Sequence, residues 1–213
     1  MKILSILFIS SLFFISACSG GGNGSRVDTI ADVGGNPDGV TVTDSGNIFI
    51  TDIGSGEVIQ ISPNGEATVI ADLDSIADNS HPDGITSVTE DNGNEILYVT
   101  TTGSSNPESG TLSTDGTIQK IDTGTGAVTQ FVDSTVLDNP TGIAADKSGN
   151  LYVADQGTGN IYKIPVDSEG NAGDIEPLTA LPPAGVDIDE PHGLTLVTNN
   201  DGSITLYTTD EGD

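Results

Sequence analysis

The sequence predicts an all-β chain built from a repeated unit of four short antiparallel strands. Pro-x-Gly tripeptides recur four times, each is followed by runs rich in Val, Ile, Leu and Thr, and Gly-rich turns separate the runs. No segment keeps the apolar period of a helix. The tripeptides begin at Pro37, Pro82, Pro140 and Pro191, so one unit takes roughly 45 to 60 residues. Such units are typical of β-propeller blades.

Each unit repeats the same order of strands. The first strand begins at Pro-x-Gly and carries small and β-branched residues, as expected where strands crowd a central channel. The second strand alternates so that both of its faces are apolar, which fits a blade packed between two neighbours. Second strands are predicted at Asn47–Asp52, Glu95–Thr101, Asn150–Asp155 and Ile204–Asp210, third strands at Glu57–Ser62, Thr117–Asp122 and Asn160–Pro165, and fourth strands at Ala67–Leu73, Ala127–Asp133 and Asp174–Leu181. The second unit carries an insertion at Gly103–Gly116.

One stretch carries a family resemblance. Pro140–Ile164 contains Pro-x-Gly-Ile-Ala, Gly-Asn-Leu-Tyr-Val-Ala-Asp and Gly-Asn-Ile-Tyr-Lys-Ile, and it resembles an NHL repeat. It is also similar to blades of the gluconolactonase and luciferin-regenerating-enzyme (senescence-marker) superfamily. The resemblance covers most of Val27–Asp210 and implies the fold more strongly than an activity, because this repeat serves enzymes and binding modules alike.

The strand count predicts about three and a half blades in residues 26–213. Three units are full, the fourth has two strands, and Arg26–Val33 is an extra strand that we expect to complete the last blade. The relatives usually close six blades, so the resemblance implies a ring truncated at its C-terminus. A four-bladed ring with one defective blade and an arc completed by a partner chain are the alternatives.

The charge balance excludes several functions. The chain has 213 residues, with 5 Lys and Arg against 32 Asp and Glu, and a formal net charge of −27. Nucleic-acid binding and adhesion to a membrane through a polybasic patch both need clustered cations, so neither is expected. Disorder is the usual reading of so acidic a chain, but the regular apolar bursts argue against it. We expect the acidic turns to be stabilised by salt or divalent cations.

The N-terminus predicts export and a lipid anchor. Residues 1–17 have Lys2 followed by an apolar stretch that is too short to span a bilayer as a helix, as in a signal peptide. Ile15-Ser16-Ala17-Cys18 resembles the lipobox of bacterial lipoproteins, which implies cleavage before Cys18 and its lipidation. Residues 18–25 then supply the lipidated Cys and a Gly/Ser tether. An outer membrane is favoured, on its periplasmic or surface face; an ordinary signal peptide is the alternative.

The middle residues of the Pro-x-Gly tripeptides are the candidate site. Asp38, Asp83, Thr141 and His192 are expected at similar height around the channel mouth, with His81 near the same rim. Carboxylates and a hydroxyl suit Ca²⁺, and an imidazole extends the choice to Zn²⁺. The alternative is that these are ordinary polar turn residues.

A second recurring carboxylate is predicted to be structural. Asp52, Asp155 and Asp210 end the second strands, where their side chains can accept backbone N–H groups of the following turn. The acidic loop Asp167–Asp174 lacks the spacing of an EF-hand, because Leu178 stands where the bidentate Glu belongs.

Two functions remain open, and no catalytic residue is identified. The first is a surface-tethered propeller that binds a protein or small-molecule ligand at its rim. The second is a metal-dependent hydrolase or lyase like the gluconolactonase relatives, for which Asp38, Asp83 and His192 are the candidates. The resemblance implies that such relatives often carry Asn in the middle of Pro-x-Gly and an early Glu-Gly-Pro, and this chain has neither.

Overall fold

A computed structural model describes residues 3–9, 12–18, 27–74, 81–90, 92–102, 116–133, 135–178 and 188–212. Within these ranges the regular structure is β-strand, and helix is absent. The tether at residues 19–25 and most of the insertion Gly103–Gly116 lie outside the described residues.

Three four-stranded antiparallel sheets and one two-stranded sheet form the successive blades. Blade 1 contains β4 (Pro37–Val42), β5 (Ile48–Asp52), β6 (Glu57–Ile61) and β7 (Ala67–Asp72). Blade 2 contains β8 (His81–Thr89), β9 (Glu95–Thr102), β10 (Thr117–Asp122) and β11 (Val128–Asp133). Blade 3 contains β12 (Pro140–Ala145), β13 (Leu151–Asp155), β14 (Asn160–Ile164) and β15 (Glu176–Pro177), and blade 4 contains β16 (Pro191–Thr198) and β17 (Ile204–Asp210). The predicted all-β class and blade pattern are therefore confirmed.

The fourth strand of blade 3 is much shorter than predicted. Only Glu176 and Pro177 pair with β14, opposite Lys163 and Tyr162. Pro177 has no backbone N–H to donate, and Pro is tolerated only at the edge of a sheet, so the ladder is weak here. Within the described residues, the strand predicted at Asp174–Leu181 is therefore reduced to Glu176–Pro177, and residues 179–181 of the prediction lie outside the described part of the chain.

The N-terminal strands form a separate sheet. β1 (Ile3–Ile9) and β2 (Leu12–Cys18) make a hairpin, and β3 (Val27–Asp32) pairs with β2. Among the described residues β3 does not join β16 and β17, so it does not complete blade 4, and its completion of a later blade stays a prediction. The described chain also contains no helix with the length and apolar character needed to cross a bilayer. Whether residues 1–17 are removed stays a prediction.

The core lies between neighbouring blades, because both faces of each second strand are apolar. All five residues of β5 and of β13 are buried. Phe49 packs with Leu97 and Val99 of blade 2, whereas Ile48 and Ile50 on the opposite face pack with residues of β3. Burial of such side chains is the main favourable contribution to the stability of the fold. β3 therefore covers the outer face of blade 1.

Glycine in each Pro-x-Gly allows the next blade to approach. A Cβ built on Gly39 would stand 2.4 Å from the carbonyl oxygen of Asp83, and one on Gly84 would stand 2.2 Å from that of Thr141. A Cβ on Gly142 would likewise stand 2.2 Å from the carbonyl oxygen of His192. Real Cβ atoms do not approach oxygen this closely, so only glycine fits. The tripeptides thus bring the innermost strands of successive blades together.

Candidate functional site

The Pro-x-Gly ends of the innermost strands surround a central cleft of about 170 Å3. Asp38, Asp83 and His192 line it together with glycine backbone and the apolar side chains that follow. The ladder register shifts at Pro-x-Gly in every blade. Such a bulge takes the middle residue out of the alternation of its strand and redirects its side chain. The structure therefore brings together three of the five rim residues named from the sequence.

Asp83 is the most perturbed group in this cleft. Its side chain is 7% exposed. Burial is the largest cause of a shift that raises the pKa of Asp83 to about 7; the negative charges of Asp38 and Glu211 contribute to the rise, and His192 opposes it. Asp38 itself is exposed and His192 is half-buried. At neutral pH the cleft therefore holds a carboxyl group that is present in both its protonated and its ionised form.

Thr141 differs from the other middle residues. It is 1% exposed and is not among the residues lining the cleft. Its hydroxyl lies 3.2 Å from the carbonyl oxygen of Pro191 and 3.1 Å from that of His192, so it can donate to blade 4. Thr141 thus joins two blades and does not contribute to the lining of the cleft.

In other blades a threonine on the second strand donates a hydrogen bond to the next blade, and in blade 3 Thr141 on the first strand makes this bond instead. Thr51 donates to the carbonyl oxygen of Asp83 at 2.5 Å, and Thr100 donates to that of Thr141 at 2.6 Å. The same hydroxyls accept the N–H groups of Gly39 and Gly84. In blade 3 the equivalent residue of β13 is Ala154, which has no hydroxyl, and Thr141 supplies one from β12 instead.

These threonines were missed as a set by the sequence reasoning. The sequence pattern that could have identified them is the position just before the recurring Asp at the end of each second strand. This position holds Thr51, Ala154 and Thr209 in blades 1, 3 and 4. Thr209 accepts the N–H of Gly193 at 2.9 Å, as Thr51 and Thr100 do in their blades.

His81 lies outside the cleft. It is half-buried, and its Nδ1 is 3.2 Å from the carbonyl oxygen of Ile53 in blade 1. His81 O also lies 3.5 Å from the hydroxyl of Thr102. The structure therefore gives His81 a contact between blades.

The Asp residues that end the second strands hold the turns around them. Asp52 accepts from the N–H groups of Asn36, Gly54 and Ser55. The two other Asp residues do the same: Asp155 accepts from Asp138, Asn139 and Thr158, and Asp210 from Glu190 and Gly212. Asp52 and Asp155 are 2% and 0% exposed, so these bonds satisfy buried carboxylates.

The described residues do not contain a group of three or more His, Cys, Asp or Glu placed to hold one metal ion. Asp38, Asp83 and His192 share the cleft without forming such a group. They therefore do not by themselves fit a three-ligand metal centre, and the divalent cation stays a prediction. The acidic loop at Asp167 uses its carboxylate locally, accepting the N–H groups of Glu169 and Asn171.

Comparisons with known proteins agree with this fold. A family model described as a beta-propeller repeat matches residues 128–163. None of the curated proteins matches the chain.

Solved structures are similar over most of the chain. A chain of a nidogen/laminin complex has a TM-score of 0.62 at 18% identity, covering 91% of this chain and 65% of its own length. A candidate gluconolactonase from a structural genomics consortium has a TM-score of 0.59 at 18% identity, with the same two coverages. A gluconolactonase from Xanthomonas campestris has a TM-score of 0.61 at 15% identity, covering 94% of this chain and 72% of its own. The chain thus spans less than two thirds of the first two structures, and it is a β-propeller protein.

Proposed function

We propose that this β-propeller is a binding module that takes a positively charged group of its ligand in the central cleft. The observation that carries the proposal is the convergence of Asp38 and Asp83 on one small cleft beside His192. The buried carboxylate of Asp83, when ionised, attracts a cation strongly because little water competes for it, and the exposed Asp38 adds a second negative charge. The flanking glycines expose backbone at the same place, which adds hydrogen-bonding groups for the rest of a ligand.

Protonation of Asp83 ties binding to pH. A cation beside Asp83 favours the charged carboxylate and so lowers the pKa of Asp83 from about 7. By linkage, binding near neutral pH releases a proton, and affinity rises with pH up to the pKa of the free cleft.

A metal-dependent hydrolase or lyase is the second candidate function. The observation that favours it is the similarity to two structures described as gluconolactonases, together with a carboxyl group whose pKa of about 7 suits a general base. Because no three ligands converge among the described residues, this activity would require ligands from elsewhere in the protein.

The test is calorimetric titration of the full chain with calcium chloride, zinc chloride and putrescine, at pH 6 and pH 8. The proposal expects one or more of these cations to bind the wild type more tightly at pH 8, and Asp83→Asn to abolish that binding. Asp44→Asn is the matched control, because Asp44 is an exposed carboxylate at the opposite end of β4. Equal binding to both variants, or no binding of any cation, would overturn the proposal.

An activity assay on the same wild-type and variant proteins distinguishes the enzyme from the binding module. Hydrolysis of a gluconolactone, followed by acid release in a pH-stat, should depend on added Ca²⁺ or Zn²⁺ and be lost in Asp83→Asn if the second candidate holds. Cation binding without lactone hydrolysis supports the binding module.

We also propose that Cys18 anchors the protein to a membrane. The support is the lipobox-like sequence before it and the fact that it is the only Cys in the chain. Dual acylation gives stable anchoring, whereas one chain binds only marginally. Expression with a labelled fatty acid should label the wild type and not Cys18→Ser, and the variant should leave the membrane fraction. Label retained by Cys18→Ser would refute the anchor.

A further inference from the structure

A second cleft lies at the opposite end of the strands from the Pro-x-Gly tripeptides. It has a volume of about 510 Å3, within the range of small-molecule sites, and it lies between blade 2 and blade 3. The ends of β8 and the turns after β12 and β14 form its walls. It shares no lining residue with the central cleft.

The floor of this second cleft is apolar. Val88, Ile96, Tyr98 and Val166 line it, and all four belong to the packed region between the two blades. Tyr98 is 3% exposed, and its ring meets that of Phe131 edge-on at a centroid separation of 4.8 Å. The floor is therefore held by packing and offers a fixed surface to the apolar body of a ligand.

Two lysines stand in the walls of this cleft. The chain has only 5 Lys and Arg, and of the three within described residues, Lys120 and Lys147 line this one cleft. Lys120 is half-buried, with its Nζ 3.5 Å from the carbonyl oxygen of Gly170, and Lys147 is exposed. Within the described part of the chain, neither ammonium forms an ion pair with a carboxylate.

Three carboxylates also line the second cleft, and two of them are engaged locally. Glu90 accepts from the amide of Asn92 at 3.1 Å. Asp167 accepts the backbone N–H groups of its own turn, which lowers its pKa. Glu169 is exposed on the outer loop. These three carboxylates keep their charges and outnumber the two lysines, so an anion would be held by local hydrogen bonds from the ammonium groups and not by a positive field of the whole cleft.

We propose that this second cleft binds a small organic anion that has an apolar body, with the acidic group between Lys120 and Lys147. The apolar body rests on Tyr98 and its neighbours, and the two ammonium groups give charge-assisted hydrogen bonds to the anionic end. Lys120 and Lys147 are two of the three lysines within the described residues of a protein with a net charge of −27, so ammonium donors are scarce elsewhere in that part of the chain.

The test compares two probes of nearly identical shape. The full chain is titrated with 8-anilinonaphthalene-1-sulfonate, which carries an anionic group, and with N-phenyl-1-naphthylamine, which lacks it. We expect saturable, one-to-one binding of the sulfonate that is weakened about tenfold by Lys120→Gln and a few-fold by the more exposed Lys147→Gln. The uncharged probe should bind all variants equally.

Lys163→Gln is the matched control, since Lys163 is on β14 but does not line the cleft. Circular dichroism spectra of every variant exclude unfolding as the source of a change in fluorescence. Equal affinity of the sulfonate for all three variants, or equal loss in Lys163→Gln, would overturn the proposal. So would tighter binding of the uncharged probe than of the sulfonate.

Discussion

Gly142 and Gly193 hold equivalent positions in two Pro-x-Gly tripeptides, but they differ in what lies beside them. A Cβ on Gly142 would stand 2.2 Å from the carbonyl oxygen of His192 and 2.6 Å from the backbone nitrogen of Leu194. A Cβ on Gly193 would meet only the hydroxyl of Thr209, at 3.1 Å. Comparing the stability lost on substitution by Ala at the two sites therefore distinguishes the effect of blade packing from the effect of Ala on the conformation of the tripeptide.

Gly142→Ala should be the more destabilising change by a wide margin. The atoms it meets are backbone of blade 4, which cannot turn aside as a side chain can, and overpacking of this kind costs about 3 kcal/mol. The displacement also breaks the hydrogen bond from Thr141 to His192, worth about 1 kcal/mol. Gly193→Ala should change the free energy of unfolding by less than about 1 kcal/mol, since a hydroxyl can shift by a few tenths of an ångström.

Urea unfolding followed by circular dichroism measures both variants. For a chain of this length, the total loss of about 4 kcal/mol should also lower the melting temperature of Gly142→Ala by roughly 8 to 16 °C. Gly193→Ala serves as the control for any effect of Ala on the strand itself. If the two variants lose equal stability, or Gly142→Ala loses less than about 0.5 kcal/mol, then close approach of the blades is not why glycine recurs here.

Three further changes test the hydrogen bonds and charges of the fold. The folded pKa of Asp83, about 7, is above its ordinary value of 3.8, so its stabilising contribution is complete at low pH and is lost as pH rises through 7. The unfolding free energy of Asp83→Asn minus that of the wild type should therefore increase by up to about 4 kcal/mol from pH 4 to pH 8. A difference that does not vary with pH would contradict this. Thr141→Ala should cost about 1 kcal/mol of unfolding free energy. Adding Ala154→Thr to this variant should restore part of the loss, because it supplies the hydroxyl that other blades carry on the second strand. If denaturant unfolding of the double variant shows no recovery, Thr141 does not substitute for that hydroxyl. Asp155 is buried, and Asp155→Ala leaves three partly buried N–H groups without their acceptor, so it should cost about 3 kcal/mol. Asp210→Ala at the exposed equivalent should cost about 1 kcal/mol, and equal losses in thermal unfolding would refute the role of burial.

Most of the strand pattern was predictable because it is a local property. Alternation and turn residues placed the second strands within one residue of their observed ends, and β10 and β17 were predicted with their observed bounds. The failure at Asp174–Leu181 came from Pro177, whose missing N–H weakens a ladder that the neighbouring apolar residues suggested. The partner of β3 was also missed, because β2 lies in the segment that the sequence assigned to a signal peptide and not to the sheets.

The candidate site was predictable only as a list. The sequence identified Asp38, Asp83, Thr141 and His192 as equivalent positions, but equivalence in a repeat does not determine what each side chain faces. Thr141 turns toward blade 4 because Ala154 leaves a carbonyl there without a hydroxyl donor. Asp83 acquires a strongly raised pKa because it is buried among its neighbours, whereas the side chain of Asp38 is exposed.

The sequence by itself determined the class of fold, the repeat and its phase, since apolar alternation and Pro-x-Gly act within a few residues of each other. Tertiary structure decided which groups meet across blades. Lys120 and Lys147 come to one cleft from separate blades, and the burial that shifts the pKa of Asp83 comes from packing around it. Burial and electrostatic interaction depend on distance in space, and a one-dimensional pattern does not specify those distances until the blades have packed.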